Sequence, residues 1–559
     1  MKKLSPLEVV AFSSVFCLGC AIDSRPEEAA RVVRAHVARV EPLTTQANRV
    51  YWEAVTTGRP ERFEELTRLQ VQARRTCSDL NDFTRIKAFH ESGRIRDPRL
   101  ARQVDRLYYS YLPNQMPPAL LEQIVALDTK VQEDYSNYRA TLDGRKITVS
   151  DVYTIMTTET DVRKREAAWR ASKQVGNVII EDFLQLVRLR NEAARQVGFD
   201  NFHTMTLVTN EQDVGDIDRI FEELDRLTRE PFRRLKQELD EILARSYGLS
   251  RGELMPWHYH DPFFQRTPLV YELDLDRYYK GRSVEDLARR YYASVGLPID
   301  NILARSDLYD REGKYPHAFS HDVDRSGDVR VLANLQDTER WMETILHELG
   351  HAVYSKYHDP GEPWLLREPA HSFTTEAIAM FFGRLSRNAA WMQAMLDLSD
   401  EETAKIQAVS DRYLRFQQVL FARWVMVMWH FEKALYADPD QDLNDLWWDL
   451  VEKYQLLKRP PGPADAGWAS KLHFTTAPCY YHNYMLGELL ASQLHNHIVH
   501  KVLKLESDVG LSYVGDQRIG RYLRRYVFGP GARYRWDDMI VRATGEPLTP
   551  RYFVAQFLE

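Results

Sequence analysis

Apolar residues recur at three- and four-residue intervals along most of this chain, the spacing that gathers them on one face of an α-helix. From about Arg25 one helical segment follows another. Pro26-Glu-Glu-Ala-Ala-Arg-Val-Val-Arg-Ala-His-Val37 opens the series, with Ser24 as its capping residue. Charged amphipathic segments continue to about Ser136, and Asp143-Gly144 marks a turn. Thr148-Val-Ser-Asp151 reads as a cap ahead of Val152. Asp161 to about Val197 is predicted as a long helix ending near Gly198, and Asp216 to Ser246 as another, stopped around Gly248. Two-residue alternation is confined to Gly327–Leu335, with His317–Val323 as its partner across Asp324-Arg-Ser-Gly327. The pattern predicts a mainly α protein: a large two-lobed helical fold around a central cleft, with a short β-hairpin or small sheet. Arg459-Pro-Pro-Gly-Pro463 interrupts the helical pattern too briefly to be an interdomain linker, so residues 21–559 are predicted to form a single domain.

Composition changes this picture little. The 559 residues are 44% hydrophobic, enough for a large core, and the net charge of −7 comes from interspersed acids and bases. That balance gives no case for nucleic acid as a partner. The four cysteines, Cys17, Cys20, Cys77 and Cys479, imply neither a disulfide framework nor a cysteine-rich metal site. The first 20 residues read as an export signal: Met1-Lys-Lys is basic, and Val9–Leu18 is apolar but too short to span a bilayer. Leu18-Gly19-Cys20 resembles the end of a bacterial lipoprotein signal, with Cys20 lipidated, although Cys17 and Glu8 depart from that pattern. An ordinary secretory signal and a buried N-terminal helix are the alternatives. The expected location is the periplasmic face of the cell envelope, with a lipid anchor.

The chemistry concentrates in His347-Glu-Leu-Gly-His351. Two histidines four residues apart lie one turn apart on the same helix face, so both rings can address one ion. Glu348 stands beside them, where its carboxylate can take a proton from a water on that ion. The plain alternative is a helix with two surface histidines. Against it, Ile345, Leu346, Leu349, Ala352 and Val353 mark a buried helix, in which two imidazoles and a carboxylate need partners or a metal. A catalytic zinc site wants a third protein ligand and one open position. Glu376 supplies the third: Pro369 and the Ser/Thr cluster after it read as a loop and helix start, and Glu376 enters the next apolar helix. One Zn2+ per chain is expected, and the predicted hairpin falls just before the zinc helix.

Several ordered motifs extend the pattern: Arg367-Glu-Pro-Ala370, Phe431-Glu-Lys-Ala-Leu-Tyr436, Lys471-Leu-His473 and Tyr481-His-Asn-Tyr484. With Asn191-Glu-Ala-Ala194 and Gln493-Leu-His495, they resemble the angiotensin-converting-enzyme family of zinc dipeptidyl carboxypeptidases over about Asp151–His495. The resemblance implies a nearly all-helical fold with a deep central channel, and release of dipeptides from peptide C-termini. By position it makes His347, His351 and Glu376 zinc ligands, Glu348 the general base and later acid, and His473 and Tyr484 the oxyanion donors. Lys471 and Tyr481 match the pair that holds the substrate's C-terminal carboxylate, Gln265 a further carboxylate contact, and His317 a contact to substrate backbone. Taken alone, Tyr484 would read as a core aromatic, His473 as a loop histidine and Lys471 as a surface group. Asn483 stands where chloride-dependent members carry arginine, and Met380 where an aspartate supports a zinc-binding histidine. The support at Met380's position must therefore come from elsewhere. Oligopeptides are the expected partners. The nearest rival function is an endo-acting, thimet-like oligopeptidase, and a more distant one is a non-catalytic envelope peptide-binding protein.

Overall fold

The computed structural model describes residues 26–268, 270 and 274–558. Within them the chain is mainly helical, with two antiparallel two-stranded sheets. The predicted signal, Cys20 and the Ser24 cap lie outside the described residues. Among the described residues, no helix is long and apolar enough to cross a membrane.

Helix boundaries follow the capping chemistry. Helix Val162–Gln196 starts where the Asp161 side chain accepts the Arg163 amide. Thr148 and Asp151 close a reciprocal capping box on helix Val149–Thr158. The next long helix, Val214–Tyr247, is capped by Asp213, three residues ahead of Asp216, because the Asp213 carboxylate accepts the Asp216 amide. It stops at Gly248, whose φ of 67° ends it in the left-handed region.

Strand β1 (Ala140–Leu142) pairs with β2 (Arg145–Ile147) through Asp143-Gly144, both at positive φ, as a two-residue hairpin turn requires. The alternation rule missed it, because three-residue strands are too short to show a period. Strand β3 (Phe319–Asp322) pairs with β4 (Val329–Leu332) in the expected place, Phe319 opposite Leu332. The outer edge of β4 is covered by Asp307, whose amide donates to Val331.

One large core draws on residues from Val131 to Phe557. Its axis is helix Asp400–Ala437, which is buried on nearly every side from Val419 to Trp429. Ala29, Val33, Ile86, Phe89, Val104 and Tyr111 of the first four helices pack separately around Trp364 and Leu365. Buried Arg102–Glu211 and half-buried Arg106–Glu368 ion pairs tie this part to the rest. Cys77 and Cys479 are both free, so no disulfide joins them.

Candidate metal centre and the groups around it

Helix Glu339–Lys356 begins where the Thr338 hydroxyl accepts the Trp341 amide. Its apolar face (Ile345, Leu346, Leu349, Ala352 and Val353) is completely buried, which fixes its rotation. His347, Glu348 and His351 are left on a partly exposed stripe. Helix Ser372–Gly383 lies against it with opposite direction: His351 meets Thr375, Gly350 meets Ala379, and His347 meets Gly383. The approach is close. A Cβ on Gly350 would fall 2.8 Å from the Ala379 Cα, so glycine is needed there. A third helix, His482–His497, closes on Glu376 through Gly487, where a Cβ would come within 3.3 Å of the Glu376 Cβ. Tyr484 stands one turn before that contact.

This packing gathers His347, His351 and Glu376, whose ligand atoms all lie within 4.8 Å of one another. The Glu376 Oε2 is 3.6 Å from Nε2 of His347 and 3.8 Å from Nε2 of His351. Those separations are too long for hydrogen bonds. They suit atoms facing a shared ion, since two ligands of a tetrahedral zinc stand about 3.4 Å apart. The Nδ1 of His351 is 2.7 Å from the Thr375 hydroxyl, which leaves its Nε2 turned to the cluster. Burial pushes His347 down to about 4 and His351 well below its ordinary value, so both rings stay neutral, as metal ligands must. Burial pushes Glu376 up to about 7, with the Glu488 charge adding to it. Glu348 is pushed up to about 8 by burial and then by Glu376, against the Ser320 amide of β3, which bonds its carboxyl. Two neutral imidazoles and a carboxylate are a donor set that fits zinc.

Around this cluster, His473 and Tyr484 come together with ring centroids 6.3 Å apart, and the Tyr481 ring is 4.8 Å from His473. Burial holds His473 near 4, and its buried Nδ1 has no hydrogen-bond partner. The Tyr484 phenol is raised by burial and then by Glu376, so it keeps its proton to donate.

Gln265, Lys471 and Tyr481 converge at a second point. The Lys471 Nζ donates to the Gln265 Oε1 at 2.7 Å, and the Tyr481 hydroxyl reaches the same oxygen at 3.4 Å. Trp424 donates its indole N–H to the Tyr481 hydroxyl at 2.9 Å, and the Asp261 carboxylate accepts the backbone amides of Phe263 and Gln265. His317 is exposed, and its ring lies 5.5 Å from that of Tyr315. Sequence reasoning missed Thr375, Ser320, Trp424 and Asp261. Only Thr375 was within reach of it, being the residue before Glu376.

Two comparisons bear on this arrangement. Residues 24–258 match the family model described as angiotensin-converting enzyme, and residues 303–556 match that of peptidase family M3. Each match spans less than half of the chain, and together they support an angiotensin-converting-enzyme-like family member. They support a peptidase of the M2/M3 metallopeptidase families. The chain is 23% identical over 359 residues to the inactive angiotensin-converting enzyme-related protein of Caenorhabditis elegans, covering 56% of this chain and 38% of that protein. It is also 23% identical over 257 residues to thermostable carboxypeptidase 1 of Pyrococcus furiosus, covering 41% of this chain and 49% of that one. The chain thus spans half or less of the length of these curated relatives.

The two departures from the family pattern have local consequences. Met380 packs toward Gly487, and Thr375 supports His351 through its Nδ1. Asn483 is buried in a neutral chain of amides: its Oδ1 accepts from Gln212, whose Oε1 in turn lies 2.8 Å from His482 Nε2. Replacing Thr375 by valine is expected to lower metal affinity roughly 10- to 100-fold, measured by competition with a chelator, with hydrolysis recovered at saturating metal. Metal uptake also requires Glu376 to lose its proton, whereas the imidazoles are already neutral. Affinity is therefore expected to fall about tenfold per pH unit below 7, in titrations between pH 5.5 and 8. A flat profile would remove Glu376 from the ligand set.

Proposed function

We propose that this chain is a zinc-dependent peptidyl-dipeptidase that releases dipeptides from the C-termini of oligopeptides. The observation that carries the reading is the convergence of Lys471, Gln265 and Tyr481 beside the His473–Tyr484 pair. This grip for a carboxylate adjoins the residues placed to act on a peptide bond.

His347, His351 and Glu376 would hold the ion. When bound, zinc supplies Lewis acidity and brings the pKa of a coordinated water to about 7. Glu348 accepts the proton of the attacking water and passes it to the leaving amine as the C–N bond breaks. The Tyr484 hydroxyl and the His473 ring donate to the oxygen on which charge develops, each supplying roughly 3 kcal/mol in a site shielded from water. The Lys471 ammonium, with Tyr481 and Gln265, binds the terminal carboxylate and so sets where cleavage falls. Strand β3, with its Ser320 amide on Glu348, offers backbone groups for an extended substrate.

The test is mass spectrometry of products from one set of peptides with free and with amidated C-termini, with and without chelator. Dipeptides released from the free acids alone, and only without chelator, are the expected result. Internal cleavage that ignores amidation would favour the endo-acting oligopeptidase. Presence of the base and all three ligand residues weighs against a purely binding role. Export and lipid attachment at Cys20 belong to the same proposal, on the strength of Met1-Lys-Lys, the Val9–Leu18 run and Leu18-Gly19-Cys20. Labelling with a fatty-acid analogue that survives Cys20→Ser would refute the attachment.

A further inference from the structure

A cavity of about 600 Å3 lies behind the metal-binding helices and shares no residue with the ligand cluster, the His473–Tyr484 pair or the grip. Phe381 forms part of its floor, turned about 140° from Glu376 around helix Ser372–Gly383. One long wall is the first half of helix Asp400–Ala437. Asp400, Thr403, Gln407, Asp411, Leu414 and Arg415 line it, a single helix face, so the groove runs beside that helix for about 22 Å. Of residues 400–415 only Ile406 and Ser410 are buried, so this half of the helix stands off the body and leaves the groove beneath it. The floor is carbon, from the buried Phe381, Leu385, Tyr513 and Phe557. The side-chain amides of Asn388, Gln407 and Gln556 stand along its edges.

The two ends carry opposite charges. Asp400, at the start of the helix, accepts the Gln393 amide at 2.7 Å and meets no cation among the described residues. Arg415, at the far end, is exposed and forms no ion pair among the described residues. The charged groups between them are already engaged: Asp411 by Gln407, Asp508 by His495, and Arg384 by Glu488 and Gln556. A carboxylate and a guanidinium held about 22 Å apart, joined by an apolar floor with amides at its edges, match one kind of ligand. It is an extended peptide with both termini free, and about six or seven residues cover that span.

The geometry points to this groove as a second peptide-binding site, with the ligand's ammonium at Asp400 and its carboxylate at Arg415. Glu348 and the three ligand residues do not line it, so a peptide bound there is held uncut. The site goes beyond the hydrolytic reading above and does not depend on where the metal centre cuts.

Calorimetric titration of zinc-loaded Glu348→Gln protein with an apolar hexapeptide of free ends counts the sites. Two per chain are expected. Adding Ala404→Trp, whose indole fills the groove from an exposed position on its wall, should remove one of them. Arg415→Glu should weaken that same site, and Arg415→Lys should keep it. Acetylating or amidating the peptide should each weaken it roughly two- to fivefold, as expected for a charge pair at an exposed position. A melting temperature equal to the parent's establishes that each variant folds. A single site that Ala404→Trp leaves intact overturns the groove. So does a second site that ignores both peptide ends, or one that a fatty acid fills equally well. A single site that Ala404→Trp removes leaves the groove standing, and it is then the exopeptidase reading that fails.

Discussion

Glu348→Gln is expected to lower kcat by roughly 10²- to 10⁴-fold while leaving the bound metal at one per chain. The substitution keeps the side chain's shape and its place beside β3 but removes its ability to take a proton. Glu348 is not among the three converging ligand residues, so metal content should not change. Its environment is arranged for the task. Burial and the neighbouring Glu376 push it up to about 8, so it holds a proton more readily than an exposed glutamate, and a bound cation nearby would draw that value down. Steady-state kinetics on a fluorogenic peptide, paired with elemental analysis of the same samples, checks both halves. Turnover equal to wild type would exclude Glu348 as the base. Loss of metal together with activity would make it a ligand instead.

Lys471→Met is expected to reduce kcat/KM on free-acid peptides by about 30-fold or more, chiefly through KM. Truncating one partner of a desolvated, hydrogen-bonded charge pair costs at least about 2 kcal/mol. Methionine keeps most of the length of the stem and removes the ammonium that stands 5.6, 5.3 and 5.0 Å from the rings of Phe263, Trp424 and Tyr481. Amidated peptides, which lack the charge that Lys471 meets, should be as poor substrates for the variant as for the wild type. The same residue sets a pH dependence. Burial pushes Lys471 down to about 8, with Asp261 opposing that shift and Arg266 adding to it. Above that pH the free protein loses the ammonium that the carboxylate needs, so KM for free acids should rise from pH 8 to 9.5. Lys471→Met should abolish the rise. If the rise persists in the variant, another group is responsible.

Much of the site was legible because its chemistry is local. His347 and His351 share a helix face through their spacing alone, and the apolar residues between them determine which way that face turns. Glu376 was reachable because an apolar helix with one acid in it has few reasons to exist other than a ligand. The β3–β4 hairpin was visible through its alternation, whereas β1–β2 was signalled only by Asp143-Gly144.

By itself, the sequence determined the helical class, the caps that start and stop its helices, and the two histidines with their glutamate. All of these depend on residues within about a turn of one another, where spacing is geometry. Tertiary structure alone decided that glycines 350 and 487 let three helices close around Glu376, and that Thr375 supports His351. It alone brought Gln265 to Lys471 across 206 residues. No local period encodes such contacts, because they are set by how buried faces from distant segments fill a common volume.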